Sequence, residues 1–228
     1  PEPVVVTRFD PKADPAFAAQ VYRTMSVVTD KMHAYNDRLI YNALKGRGLP
    51  DELAADFTFS GCCNCETHYH TIRNEWYFPT PEWLCEVLGV IGEGPAPAYE
   101  SVNEIVQALK NTARRHMEDQ LDTEVVNAST WRILDQRGHT FDAMFVGKCA
   151  ERCRYPLDGG VDFYLVDVYF TGAATVIDSL SAIDRLVFRE RRCTLEEFVQ
   201  ILKDNYKGQP LLQAEIKNKF PKFGNDDE

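Results

Sequence analysis

Asp56-Phe57-Thr58-Phe59-Ser60-Gly61-Cys62-Cys63-Asn64-Cys65-Glu66 decides how this chain folds. The first five residues read as a strand, and Gly61 opens a run with three thiols in four positions. Side chains at a strand-to-loop junction are presented by rigid backbone and can be aimed into a cavity, so such junctions often carry function. Just upstream, Pro50-Asp51-Glu52 predicts one helical turn. Asp37 to Lys45 predicts a helix with Leu39, Ile40, Ala43 and Leu44 inward, ended by Gly46. Val4 to Phe9, β-branched and bounded by prolines, predicts a strand. Asp14-Pro15 supplies an N-cap and a first-turn proline, and Phe17, Val21, Met25, Val28 and Met32 extend a helical spacing through Tyr35.

Downstream, Thr80-Pro81 starts a helix whose stripe is Trp83, Leu84, Val87 and Leu88, and Gly89 to Pro97 is loop. Ser101-Val102-Asn103-Glu104 has capping-box spacing ahead of a long helix with Ile105, Leu109, Ala113 and Met117 on one face; helical pattern resumes from Thr123 to Gln136. Residues 137–162 carry little periodicity. Phe163 to Tyr169 predicts a buried strand, with Tyr164, Tyr169 and Phe170 in the core, and Ala173 to Phe188 a helix. Thr194-Leu195-Glu196-Glu197 is a second capping box, followed by the stripe Leu195, Phe198, Val199 and Leu202. Strands alternating with helices favour an α/β architecture around a single core.

At 228 residues the chain can bury a proper core, as one or two domains. Its 25 Lys and Arg against 35 Asp and Glu leave a net charge of −10, so no basic surplus exists to neutralise nucleic-acid phosphates. No apolar run approaches a membrane span and no leader opens the chain; a start at Pro1 without Met suggests an excerpt of a longer protein. Seven cysteines, two of them adjacent, make a poor disulfide framework and point to free thiols in a reducing, cytoplasmic compartment.

Several stretches recur in a telling order. They are Asn36-Asp37 with Ile40 and Ala43-Leu44; Gly61-Cys62; Asp178-Ser179-Leu180-Ser181-Ala182-Ile183 with Leu186-Val187-Phe188; Thr194-Leu195-Glu196-Glu197; and Phe220-Pro221-Lys222-Phe223-Gly224-Asn225-Asp226-Asp227. Together they resemble the glycyl radical enzymes, the family of pyruvate formate-lyase and of the radical lyases and dehydratases. A lone Gly-Cys is a weak signal; the Gly-Asn-Asp-Asp string downstream of the Asp-Ser-Leu-x-Ala-Ile helix is a strong one. The resemblance implies that residues 1–228 are a single segment from the C-terminal part of a ten-stranded α/β barrel. This would be its cysteine-loop half, ending before the glycyl radical loop and incomplete, hence inactive, on its own. It also implies an anaerobic, cytoplasmic enzyme acting on a small-molecule substrate by C–C or C–X bond lyase chemistry. No cofactor would be bound. A glycyl radical would sit outside this segment, installed by an S-adenosylmethionine iron–sulfur activating enzyme. The other expected partners are the remaining portions of the same enzyme and a second copy in a homodimer, with neither nucleic acid nor membrane.

A thiol is a good hydrogen-atom relay because sulfur is soft and polarizable. The resemblance puts the thiyl radical on Cys62, directly after Gly61, and Cys63 resembles the second member of the cysteine pair in pyruvate formate-lyase. Lyases and dehydratases of the family more often have Gly-Cys-x-Glu with the glutamate as base, whereas this chain has Asn64, which cannot take a proton at neutral pH. Glu66 can substitute from two residues on, or the base lies outside this sequence, or there is none. Asn64, His68 and His70 are candidates for a polar substrate pocket. Two alternatives stand beside this: a metal-binding module using Cys62, Cys63, Cys65, His68 and His70, and a non-catalytic remnant of the family. Cys85, Cys149, Cys153 and Cys193 are expected to be small buried hydrophobes, Glu151 and Arg152 solvated surface, and Gly224 to Asp227 a structural turn.

Overall fold

The computed structural model describes residues 5–28, 31–60, 64–67, 71–92, 97–138 and 143–225. Two compact units are present: Pro1–Trp76 with Asn127–Asp167, and Tyr77–Val126 with Val168–Glu228.

In the first unit, β1 (Val5–Phe9), α1 (Pro15–Val27) and β2 (Met32–Asn36) follow one another, and the two strands pair in parallel from Val5 opposite Met32 to Phe9 opposite Asn36. The Asp14 side chain caps α1 by accepting the Phe17 N–H at 2.9 Å, and the helix buries Ala18 and Val21 against Phe9. The expected helix through Tyr35 is corrected here. Residues 32–36 satisfy helical spacing, but β1 needs a partner for its peptide groups, and β2 provides the ladder. Asn36 ends that strand and caps the next helix, its side-chain oxygen accepting the Leu39 N–H at 3.2 Å.

α2 (Asp37–Gly46) buries Leu44, half-buries Ile40, and exposes Leu39 and Ala43, so the expected inward face is narrower than the sequence suggests. Leu44 packs with Leu49, with Ala54 of α3 (Asp51–Ala55), and with Phe57 of β3 (Phe57–Ser60). Arg8 ties these pieces together. Its guanidinium donates to Asp37 Oδ1 at 2.5 Å, to the Ala55 carbonyl at 3.1 Å and to the Phe57 carbonyl, and lies 3.5 Å above the Phe57 ring centre. β3 pairs antiparallel with β4 (Asn64–Thr67), and β5 (Thr71–Pro79) pairs with β6 (Phe163–Thr171).

The irregular segment is ordered by Arg152, which ends α6 (Cys149–Arg152). It donates to Asp162 at 2.5 Å and to the carbonyls of Gly159, Gly160 and Val161 at 3.2 to 3.4 Å. Arg152 is therefore a loop clamp and not merely solvated surface. Gly160 is required beside it, because a Cβ there would sit 2.5 Å from Cys149 Sγ and 2.6 Å from the Tyr155 carbonyl. β6 buries only Leu165, while Tyr164 and Phe170 are about half exposed, which corrects the expected buried strand.

In the second unit, α4 (Thr80–Val87) presents Trp83, Leu84, Val87 and Leu88, all buried as expected. α5 (Val102–Gly138) is one continuous helix where the pattern suggested two stretches. Ser101 Oγ accepts the Glu104 N–H at 3.4 Å, but the Glu104 carboxylate reaches the Glu100 N–H at 2.9 Å, a variant of the expected box. α7 (Ala173–Ile183) runs on as a π-helical turn through Arg189, burying Ile183, Leu186 and Val187. The Thr194/Glu197 capping box is present in full and starts α8 (Leu195–Lys203), whose Leu195, Phe198 and Val199 are buried. α9 (Pro210–Lys219) was not anticipated, although Pro210 in its first turn is a start signal.

The Asp178 helix and the Phe220–Asn225 string, far apart in sequence, are bonded to each other. Asp178 Oδ1 accepts the Phe223 N–H at 2.7 Å, and buried Phe220 lies under the Arg185 guanidinium at 4.7 Å. Gly224 has φ +89°, the left-handed turn geometry expected of it. The described apolar side chains gather in three clusters instead of the single expected core.

Candidate active site

The β3–β4 pair sets Phe57 opposite Thr67, Thr58 opposite Glu66, Phe59 opposite Cys65 and Ser60 opposite Asn64. Cys62 and Cys63 belong to the three residues joining these strands and lie outside the described residues, as do His68 and His70. Side chains alternate along a strand and directly opposed residues share a face. Asn64 and Glu66 therefore point one way, and Cys65 and Thr67 the other with Phe57 and Phe59.

The Cys65 face belongs to the core. It packs with Phe57, Phe59, Phe163 and Leu165. Burial, and then the nearby Asp167 carboxylate, pushes its thiol from 9.0 up to about 11. A thiol held protonated is a poor metal ligand and a poor nucleophile. Cys65 should therefore resist iodoacetamide at pH 8 in the folded protein while exposed Cys153 is alkylated, mass spectrometry reading the two peptides; rapid labelling of Cys65 would contradict the burial. Because its folded value lies above its ordinary one, the stability it contributes is complete below about pH 9 and declines as pH rises toward 11.

The other face is polar. Asn64 is buried, at 8% exposure, and its side-chain amide donates to Glu75 Oε1 on β5, a half-buried carboxylate. Glu66 is half-buried one strand position beyond Cys65. Glu75 was missed by sequence reasoning because β5 itself was missed, although the aromatic run Trp76-Tyr77-Phe78 is a strand signal.

The remaining expectations fall out as follows. Cys149 is buried, Cys85 and Cys193 are half-buried, and Cys153 is exposed in left-handed conformation at the end of α6, so it is not a buried hydrophobe. Tyr169, half-buried, stacks on exposed Tyr77 at 4.9 Å, and half-exposed Phe170 lies against buried Phe78 and Trp83, so these two aromatics border the core and do not fill it. Among the described residues no group of three His, Cys, Asp or Glu side chains could hold a metal ion. A cleft of about 450 Å³ in the second unit is lined by Trp83, Glu86 and His116. Burial works to raise the Glu86 carboxyl, but hydrogen bonds from His116 (3.2 Å) and Arg115 outweigh it and hold the group below its usual range. Among the described residues no helix is long and apolar enough to cross a membrane.

The family model described as pyruvate formate lyase-like matches residues 92–228. The (2S)-3-sulfopropanediol dehydratase of Klebsiella oxytoca is 25% identical over 213 residues, 85% of this chain and 25% of that protein. An isethionate sulfite-lyase of Bilophila wadsworthia is 32% identical over 104 residues, 46% of this chain and 12% of that one. The B12-independent glycerol dehydratase from Clostridium butyricum, in its glycerol-bound form, superposes with a TM-score of 0.75 at 23% identity, over 100% of this chain and 30% of that one. A glycyl radical enzyme from Archaeoglobus fulgidus superposes with a TM-score of 0.70 at 18% identity, over 99% of this chain and 30% of that one. At these identities the structural likeness is one of fold, a mixed α/β fold shared with such enzymes. This chain spans about a quarter to a third of the length of those relatives that it matches along most of its own.

Proposed function

This chain belongs to the pyruvate formate lyase-like family of glycyl radical enzymes, and from that premise we propose that it supplies the cysteine-bearing part of a radical lyase or dehydratase. The observation that carries this is the similarity along 85% of the chain to the (2S)-3-sulfopropanediol dehydratase, a span that takes in the Gly61-Cys62 loop, beside the family match over residues 92–228. Because the chain spans under a third of the glycerol dehydratase it superposes on, activity belongs to a larger enzyme that includes further portions of barrel.

Cys62 is the hydrogen-atom relay. Its S–H hydrogen passes to a glycine Cα radical outside this segment, and the thiyl left behind takes a hydrogen atom from a substrate carbon. A neighbouring C–O, C–S or C–C bond then breaks, and the product radical takes its hydrogen back from the Cys62 thiol. The names of the relatives favour a small hydroxylated compound as substrate. The radical must be shielded from water and oxygen, so the thiol works in a closed cavity under anoxic conditions, in the cytoplasm of an anaerobe. An S-adenosylmethionine iron–sulfur activating enzyme installs the radical, and the working form is a homodimer. A metal-binding module is disfavoured because Cys65, one of its five candidate ligands, is committed to an apolar cluster as a thiol.

The intact enzyme, activated anaerobically and offered glycerol, isethionate and (2S)-3-sulfopropanediol, should give a glycyl EPR signal and consume at least one of the three. Absence of the organic radical, or of any consumption, would count for the remnant.

A further inference from the structure

The geometry points to the cleft of the second unit walled by α4 and α5 as a docking site for a partner protein's peptide segment, one that carries an arginine beside apolar side chains. The radical chemistry proposed above plays no part in this inference. The cleft holds about 450 Å³, the scale of a pocket for a side chain or small ligand. Its mouth carries apolar surface that a ligand confined to the cavity would leave wet, since Tyr77 is 58% exposed and Ile91 51% exposed. A chain segment crossing the mouth covers both. Tyr77 is held in place on one face by the Tyr169 ring at 4.9 Å, so it meets a partner already ordered, as an aromatic anchor does. The floor is rigid as well: buried Trp83 lies parallel to the His116 ring, with 5.4 Å between ring centres.

Charge selects the occupant. Glu82, Glu86 and Asp119 line the cleft, and no described lysine or arginine does. Arg115 and His116 already take up Glu86. Glu82 on α4 and Asp119 on α5 have no salt bridge among the described residues, so two open carboxylates face an incoming group from different walls. Residues 116–126 of α5 add Glu118, Asp122 and Glu124, again with no lysine or arginine among them. A guanidinium suits this setting better than an ammonium. It is planar, it pairs with carboxylates through several N–H groups, and it stacks on an aromatic face such as that of Tyr77. Opposed charge also steers the encounter, which makes the association sensitive to salt.

The test is fluorescence anisotropy of a labelled acetyl-Leu-Arg-Phe-Arg-Leu-amide titrated with the intact enzyme, which needs no activation. The control is the same peptide with the neutral isostere citrulline in place of both arginines. The arginine peptide should bind at least tenfold tighter, and the advantage should shrink between 50 and 500 mM KCl by severalfold. Glu82 and Asp119 are both exposed, so the double variant Glu82→Gln, Asp119→Asn should keep its thermal midpoint and weaken binding about tenfold. Tyr77→Ala should weaken it about fivefold while leaving the salt dependence unchanged. Glu151→Gln with Glu196→Gln removes the same charge from exposed positions outside the cleft and should change affinity less than twofold. Equal binding of the citrulline peptide would overturn the inference without any variant. Equal losses in the two double variants would overturn it too, as attraction to an acidic protein at large. No binding to the intact enzyme would mean that the rest of the protein covers this cleft, which also overturns it.

Discussion

Cys62→Ala in the intact, anaerobically activated enzyme is expected to keep its glycyl EPR signal and to lose turnover by about 10⁴-fold or more, a barrier increase of about 5 kcal/mol. The two readouts part because they depend on different atoms. In the proposed mechanism the stored radical resides on a glycine outside this segment and is installed by another protein, so it would not need the thiol. On the same mechanism turnover would need it, since alanine at position 62 has no S–H hydrogen to give or take back. The Cys63→Ala enzyme makes the comparison decisive. Preserved turnover in Cys62→Ala together with loss in Cys63→Ala would move the relay to Cys63, and preserved turnover in both would remove the thiyl step altogether.

Phe57→Ala should destabilise the first unit by about 4 kcal/mol, the usual scale for emptying a buried phenylalanine site. Phe57 is 2% exposed and packs with Leu44, Leu49, Ala54 and Leu165, and its ring also meets Phe59 edge-on at 5.6 Å and the Arg8 guanidinium. The hydrogen bond from Arg8 goes to the backbone carbonyl and survives truncation, so the loss reports the ring itself. Urea unfolding followed by a probe in the first unit measures it, and Phe57→Leu, which fills much of the same space, should cost less than half as much. A loss under about 1 kcal/mol for alanine would mean that β3 is not anchored by this residue. Because β3 leads directly into Gly61 and Cys62, a looser anchor should also lower turnover in the intact enzyme.

Legibility followed the range of the interaction. Asp14, Asn36 and Thr194 were found as caps or motif members because a side chain bonding a backbone N–H three residues on is a local event. The stripe of Trp83, Leu84, Val87 and Leu88 was readable for the same reason, since one helix period encodes it. The 32–36 segment was misread because its apolar spacing fits a helix, while its fate depended on β1, more than twenty residues upstream. Glu75 was invisible because nothing near it in sequence says that it will meet Asn64 eleven positions earlier.

Sequence alone determined the family, through an ordered set of short motifs, and with it the identity of the thiol expected to act. Tertiary structure alone decided that Asp178 holds the Phe223 backbone and that Cys65 turns into the core while Asn64 turns away from it. It also decided that a carboxylate from β5 stands at that amide. Caps and stripes are set by neighbours along the chain. Which face of a strand is buried, and which distant side chain completes a polar pair, is set only when the strands find their partners.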